Sequence, residues 1–252
     1  MEEQIRQAAE WIRQSKHVTV FTGAGISVES GIPPFRGTDG LWSRYDPNCL
    51  DIGYFKSHPL KAWEVIKEIF YDFFGKAVPN DAHKQVAELE KMGYVKAVIT
   101  QNIDSLHQEA GSTNVYEFHG TSRTLSCTGC KKLYPARKIP MESLPPRCPA
   151  CSGVLKPDFV FFGEAIPQQV NFMSFYEAQV ADLFLVIGTT GEVMPACMVP
   201  VHAKENGAKI IEINTELSSF TNSITDIFLQ GKASEMMNRL LFHVKASDKA
   251  DK

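Results

Sequence analysis

The most specific chemistry in the sequence lies in two cysteine pairs. Cys127-Thr128-Gly129-Cys130 and Cys148-Pro149-Ala150-Cys151 are C-x-x-C knuckles separated by 17 residues, each flanked by turn-forming residues. Four thiolates at this spacing suit the tetrahedral shell of Zn²⁺. A shell closed by four sulfurs leaves no position for substrate, so the metal is expected to be structural. Two redox dithiols are the competing reading, disfavoured because neither pair opens a helix in a thioredoxin-like βαβ unit. Cys49 and Cys197 stand apart and read as small buried hydrophobes.

A glycine turn and two polar strand ends are the other candidates. Residues 17–21 form a β-branched run that reads as a buried strand and leads into Thr22-Gly23-Ala24-Gly25-Ile26-Ser27-Val28-Glu29. Gly23 and Gly25 permit close backbone approach, and a helix opening over residues 26–29 aims free N–H groups at the same point. That is an anion site, usually filled by a dinucleotide pyrophosphate. The G-x-G-x-x-G pattern is incomplete, since Val28 takes the third glycine's place and no acidic residue closes a following strand about twenty positions on. A strand-to-helix turn that merely needs two glycines is the alternative. Residues 94–100 read as a second buried strand, ending in Gln101-Asn102-Ile103-Asp104, and residues 115–118 as a short one delivering His119-Gly120. A histidine with an ordinary pKa of about 6.5 is largely neutral at pH 7 and competent as a base.

These residues need a scaffold, and the remaining pattern supplies one. An apolar stripe at Ile5, Ala8, Ala9 and Ile12 marks an amphipathic helix over residues 3–15. Residues 37–79 begin as a proline- and glycine-punctuated loop and continue as an aromatic-rich helix over 60–74, with Phe55, Trp63, Ile66, Phe70 and Phe73 as its core. Helices are expected over 80–91 (Ala82, Val86 and Leu89 inward), 105–110 (stopped by Gly111), 168–179, 195–206 and 233–243. Further strands are expected over 181–187, 209–213 and 226–229, and a frayed tail over 245–252. Alternating strands and helices predict an α/β fold with a doubly wound parallel, Rossmann-like sheet. Ligands bind outside the carboxyl ends of such strands, so Ala24-Gly25, Gln101 to Asp104 and His119 share one crevice if their strands are neighbours. The expected division is a Rossmann-like domain of residues 1–37, 80–122 and 156–247, a cofactor loop and helical module at 38–79, a zinc ribbon at 123–155 and a tail at 248–252.

Among 252 residues the net charge is −3, which gives no general attraction to nucleic acid or anionic membrane. No apolar run is long enough for a bilayer and no signal peptide opens the sequence, so a cytoplasmic location is expected, without membrane or direct nucleic-acid binding.

In combination, and in order, the motifs resemble the sirtuin family of NAD-dependent protein-lysine deacylases. They are Gly23-Ala24-Gly25-Ile26-Ser27, Ser30-Gly31-Ile32-Pro33, Phe35-Arg36-Gly37, Thr100-Gln101-Asn102-Ile103-Asp104 with Leu106-His107, His119-Gly120, the four cysteines, Phe161-Phe162-Gly163-Glu164 and Gly188-Thr189-Thr190. The resemblance spans roughly residues 5–243. It implies NAD⁺ as co-substrate, with Gly23, Ala24, Gly25, Ser27 and Val28 at the pyrophosphate and Arg36 at the phosphates or fixing the loop. Ile32, Phe35, Ile103 and Asp104 would line the nicotinamide pocket, Asp104 holding the carboxamide and Ile103 lending a backbone contact. Gln101 and Asn102 would serve the ribose, and Gly188, Thr189, Thr190, Asn214 and Ala233 the adenosine half. An acyl-lysine would enter beside Phe35, His119, Val160 and Phe162, with Gly163, Glu164 and Val193 along the peptide.

The implied reaction is attack of the acyl oxygen on C1′ of the nicotinamide ribose as nicotinamide leaves, with His119 as general base and Asn102 orienting the ribose or a water. Deacylated lysine and O-acetyl-ADP-ribose result. Pro34 departs from the family's usual Asp, Gly191-Glu192 from a serine-rich apolar run, placing Glu192 near the peptide groove, and Ala165 is an expected neutral change. Tyr71 is followed three residues later by Phe74 rather than Arg, which favours acetyl or longer apolar acyl groups over succinyl. Mono-ADP-ribosyl transfer, long-chain deacylation and a non-catalytic zinc-ribbon scaffold are the alternatives. His107 reads as a packing residue, and His17, His58, His83, His202 and His243 have no motif support. Loss of zinc is expected to act mainly on the ribbon.

Overall fold

β-branched and aromatic runs become strands and amphipathic stripes become helices, in the order the periodicity predicts. The structure, a computed structural model, describes residues 1–35, 40–73 and 76–248. Arg36, Gly37, Phe74, the Phe73 side chain and residues 249–252 lie outside the described residues. Helix α1 (Glu2–Gln14) leads into β1 (Val18–Thr22), a 3₁₀ helix (Ala24–Ser30), α2 (Ile52–Ser57), α3 (Pro59–Ile66) and a π-helical segment (Lys67–Phe73). Next come α4 (Asp81–Lys91), β2 (Val95–Thr100), α5 (Leu106–Ala110), β3 (Val115–Glu117), β4 (Gly120–Cys127), β5 (Leu133–Pro135) and β6 (Leu155–Phe159). The chain closes with α6 (Gln168–Val180), β7 (Leu183–Ile187), α7 (Met198–Glu205), β8 (Lys209–Asn214), β9 (Ile227–Gln230) and α8 (Ala233–Asp248).

Six strands pair in parallel in the order β3-β2-β1-β7-β8-β9, so strand order reverses between β1 and β7. Both of these strands are buried along their whole length. Side chains alternate between the two faces, as a pleated strand requires. Val18, Val20, Leu183, Leu185 and Ile187 pack with α1, α4 and α8, whereas Phe21, Phe184 and Val186 pack with α6 and α7. The expected doubly wound sheet is therefore present, and β1, β2 and β3 are neighbours.

A second lobe holds a three-stranded antiparallel sheet in the order β5-β4-β6. Its apolar core is shared with the helical module, because Phe55, Trp63, Ile66 and Phe70 cluster with Leu125, Cys127, Cys148 and Leu155. Trp63 Nε1 donates to Leu155 O at 2.8 Å, which ties α3 to the ribbon. Strands β4 and β6 also cross the expected boundaries at 122/123 and 155/156, so the ribbon hangs from two strands rather than from loops.

Several local expectations change. The helix after the glycine turn is 3₁₀ and ends at Gly31 (φ +90°). The aromatic helix expected over 60–74 is instead α3 followed by a π-helical segment, α2 forms in the stretch expected to be loop, and α7 begins at Met198 rather than Pro195. Helix α8 continues into the stretch expected to fray, held by Lys245 Nζ on Glu88 at 2.7 Å. Cys49 is buried as expected, but Cys197 is only half-buried, its Sγ 3.2 Å from Met194 Sδ.

The apolar core shared by the ribbon and the helical module gives a route by which zinc loss can act beyond the ribbon. Metal removal is expected to loosen the helical module as well as the ribbon. In a Trp11→Phe, Trp42→Phe background, where Trp63 is the fluorescent reporter, chelation should shift its emission to the red. An unchanged spectrum after metal loss would confine the effect to residues 123–155.

Candidate functional site

The glycine turn is fixed by backbone packed on backbone. Gly23 N donates to Ile187 O at 3.0 Å and Gly25 N to Gly188 O at 2.8 Å, which joins the turn after β1 to the turn after β7. A Cβ on Gly25 would lie 2.6 Å from Gly188 Cα, and one on Gly188 (φ +63°) 2.4 Å from Ile26 N. Side chains are excluded on both sides of this contact. It sits where strand order reverses, the place at which open α/β sheets bind nucleotides. Asn80 caps α4 through its Oδ1 and donates from Nδ2 to Ile26 O at 2.7 Å, holding the 3₁₀ segment from below. Within that segment Ser27 is buried, whereas Val28 is 44% exposed.

The polar strand end after β2 closes over the turn. Asn102 Nδ2 donates to Gly23 O and to Ser27 Oγ, both at 3.1 Å, and Gln101 Nε2 donates to Thr189 Oγ1 at 3.0 Å. Ser27 Oγ donates to Asp104 Oδ2 at 2.7 Å, and Leu106 N to Asp104 Oδ1 at 3.0 Å. Burial raises the Asp104 pKa, opposed by these two hydrogen bonds. Ile103 O accepts from Ser122 N and Oγ, so its carbonyl is engaged within the protein. Through its bonds to Gly23 O and Ser27 Oγ the Asn102 amide nitrogen ties the shelf to the glycine turn. Asn214 Nδ2 donates to Thr189 O at 2.9 Å, Thr190 O accepts from Ser219 N, and Ala233 is buried at the start of α8.

His119 lies at the end of β3, with Nδ1 3.0 Å from Gln101 O. A carbonyl only accepts, so Nδ1 carries the proton and Nε2 is the bare nitrogen of the neutral ring. Burial lowers its pKa, and the Gln101 bond partly restores it. Its own carbonyl accepts from Val160 N at 2.8 Å, which joins the base to the segment after β6. There Phe162, 49% exposed, continues an aromatic row through Trp42 (6.4 Å) to Phe35 (5.4 Å from Trp42). Gly163 (φ +84°) turns the chain against Ile52, and Val193 O accepts from Cys197 N in the loop beyond β7. The Glu164 carboxylate, expected along the peptide, turns back to Lys156 Nζ at 3.0 Å. Pro34 O accepts from Leu41 N at 2.9 Å, a contact that needs no N–H from residue 34.

Two histidines that carried no catalytic assignment lie beneath this shelf. His83 and His107 are buried, their rings edge to face with centroids 4.9 Å apart. Thr22 gives its hydroxyl proton to Thr100, so His107 Nε2–H donates to Thr22 Oγ1 at 3.0 Å. His83 Nε2 is 3.4 Å from Ser27 Oγ, and both Nδ1 atoms lack a partner. Burial lowers both pKa values, His83's to about 4. Their buried positions show only in three dimensions; the sequence carries no sign beyond the residue type. His17 instead bonds to the buried Glu177, and His243 to Glu2 at the surface.

The four knuckle sulfurs lie within 4.8 Å of one another, with Cys127–Cys151 at 3.4 Å and Cys130–Cys148 at 3.7 Å. Tetrahedral Zn–S bonds of about 2.3 Å place sulfurs about 3.8 Å apart, so the set fits Zn²⁺. A Cβ on Gly153 would come 3.1 Å from Cys127 Sγ and 3.3 Å from Cys151 Sγ, so the second knuckle packs tightly against the sulfurs.

Comparison with known proteins agrees with this geometry. The model of the Sir2 family matches residues 23–195. NAD-dependent protein deacylase 2 of Pyrobaculum aerophilum is 46% identical over 241 residues, covering 94% of each chain. A Sir2 homologue solved as an NAD complex is 40% identical, with a TM-score of 0.89 over 96% of this chain and 94% of that one. A Sir2 protein solved with a deacetylated p53 peptide and 3′-O-acetyl-ADP-ribose is 34% identical, with a TM-score of 0.90 over 94% and 97%.

The buried histidines make stability depend on pH in a defined direction. Their folded pKa values lie below the ordinary 6.5, so the unfolded chain takes up protons first on acidification. Their contribution is complete above about pH 6.5 and declines toward pH 4, with His83 alone worth roughly 2 kcal/mol between pH 7 and pH 5. Urea midpoints at those two pH values should differ less in His83→Gln than in the unsubstituted protein. Equal differences would place the sensitivity elsewhere.

Proposed function

The chain belongs to the Sir2 family, and from that premise we propose that it is an NAD-dependent protein-lysine deacetylase. One observation carries the reading. The glycine turn, the Gln101–Asp104 shelf and His119 stand at the carboxyl ends of three adjacent parallel strands, facing the point where strand order reverses. The backbone contact between Gly25 and Gly188 brings the turns after β1 and β7 together at this point, a place suited to a pyrophosphate. Ala24, Gly25 and Ser27 would take that end of NAD⁺, with Gln101 at a ribose hydroxyl and Gly188, Thr189, Thr190, Asn214 and Ala233 toward the adenosine. Bound NAD⁺ supplies a C1′ that an acyl oxygen can attack as nicotinamide departs.

The remaining work falls to the protein. Asp104, with Ser27 donating to it, would receive the carboxamide beside Ile32 and Phe35. Asn102 holds the turn that positions these groups, so its role is structural support of the cofactor site as much as ribose contact. His119 Nε2 is the acceptor for the proton released along the ribose hydroxyls, and the Gln101 bond keeps that nitrogen bare. Phe35, Trp42, Phe162 and Val160 form an apolar, aromatic side suited to an acyl-lysine carrying an acetyl or longer apolar group. The zinc centre, closed by four sulfurs, shapes the small lobe and takes no part in bond making. Among the described residues no helix is long and apolar enough to cross a membrane. We place the protein in the cytoplasm, where four thiolates stay reduced and available to the metal.

An NAD⁺-dependent nicotinamide-release assay across acetyl-, longer-acyl- and succinyl-lysine peptides tests the reading. Acetyl or apolar acyl peptides should turn over and succinyl peptides should not. His119→Ala should cut turnover by about 10²–10⁴-fold with an unchanged fold by circular dichroism. The acid limb of kcat/KM should fall below pH 6.5, because burial holds the base's pKa under its ordinary value. ADP-ribosylated acceptor without deacylated peptide would replace this reading with mono-ADP-ribosyl transfer.

A further inference from the structure

We propose that Lys156 and Glu164 form one positioning device that holds the acyl-lysine side of the site in register with His119, a role that rests on the deacylase reading above. Lys156 is 9% exposed, an unusual place for an ammonium group. Its three N–H donors are all used: Pro157 O and Phe159 O at 2.8 Å each, and Glu164 Oε2 at 3.0 Å. The ammonium also stands 4.1 Å from the centre of the Phe161 ring. Glu164 Oε2 in turn accepts from Phe161 N at 2.9 Å. One ion pair thereby closes a ring of contacts around residues 157–163.

The enclosed segment is the one that faces substrate. Val160 N reaches the carbonyl of His119, Phe162 N reaches Leu50 O, and Ile52 N reaches Phe162 O. The segment is thus joined to the base on one side and to the helical module on the other. A buried pair contributes little net stability, since desolvation cancels much of its attraction. Burial does pull the Lys156 pKa down, and the Glu164 bond opposes the shift. What the pair does supply is geometry. The segment 160–163 has its backbone fixed from inside by a charge that cannot slide along the chain as an apolar contact can.

The device makes a prediction that a purely structural role would not. With acetyl-lysine peptide, Lys156→Met should raise the peptide KM about tenfold while the NAD⁺ KM and kcat stay within about twofold. Lys156→Arg, which keeps the charge and donors, should restore the peptide KM. Because the two residues act as a unit, adding Glu164→Gln to Lys156→Met should raise the KM no further. If Lys156→Met does not fold, Glu164→Gln alone carries the test, with an expected rise of about threefold. A folded variant with unchanged peptide KM, an equal rise in the NAD⁺ KM, or additive effects in the double variant would overturn the role. Absence of nicotinamide release by the unsubstituted protein would overturn the deacylase reading itself, and this role with it.

Discussion

The site depends on a contact between two stretches of backbone with no side chain between them. Gly25 N on Gly188 O brings the turns after β1 and β7 together where the strand order reverses. Everything polar above it is arranged by that approach. Asn102 reaches Gly23 O only because the turn is pressed down, and Gln101 spans to Thr189 across the same crevice. Two strands buried on both faces supply the rigid floor. A methyl group at Gly25 or Gly188 would collide with main chain on the opposite turn, where no rotamer change can relieve it.

Polar groups buried around this contact fall into two kinds. Some are fully paired. Glu212 accepts from Ser218, Thr221 and Thr225, fixing the loop whose Ser219 then bonds to Thr190 and Gly191. Others are left incomplete, as at the Nδ1 atoms of His83 and His107. An unpaired nitrogen in the core costs stability, and here that cost is placed directly under Ser27 and Thr22, the residues that hold the shelf. The neutral rings donate through Nε2 toward hydroxyls whose own protons are directed to Asp104 and Thr100. The site therefore rests on a chain of donors whose direction is set by proton placement as well as by packing.

Much of this architecture was legible in the residue pattern. The strands at residues 95–100 and 183–187 are largely apolar runs, the stop at Gly111 is a local signal, and two C-x-x-C knuckles specify their own geometry. What escaped was non-local. Nothing near Lys156 in sequence distinguishes it from a surface lysine; its burial comes from Phe159, Phe161 and Glu164 folding back over it. His83 reads as one polar position on an amphipathic helix and becomes a buried residue only when α4 meets the 3₁₀ segment. The 3₁₀ form of residues 24–30 was hidden for a similar reason, because the close approach of Gly188 determines how tightly that turn winds. Likewise the small lobe's unity depends on Trp63 meeting Leu155, a contact across 92 positions.

His119 belongs to neither lobe alone. Its ring is held by Gln101 in the parallel sheet, its carbonyl by Val160, and the next residue, Gly120 (φ +74°), pairs with Phe159 so closely that a Cβ would lie 2.3 Å from Asp158 O. The two chains that carry the ribbon thus leave the large lobe side by side, clasped beside the base. A ribbon exchanged with cuts distal to this clasp, inside residues 123–154, would leave the clasp, Lys156 and the base in place, but would have to bring an apolar face that packs on Trp63. Cuts on the near side would break the clasp. The joint therefore marks the boundary beyond which the ribbon's own strands can change while the base stays clasped.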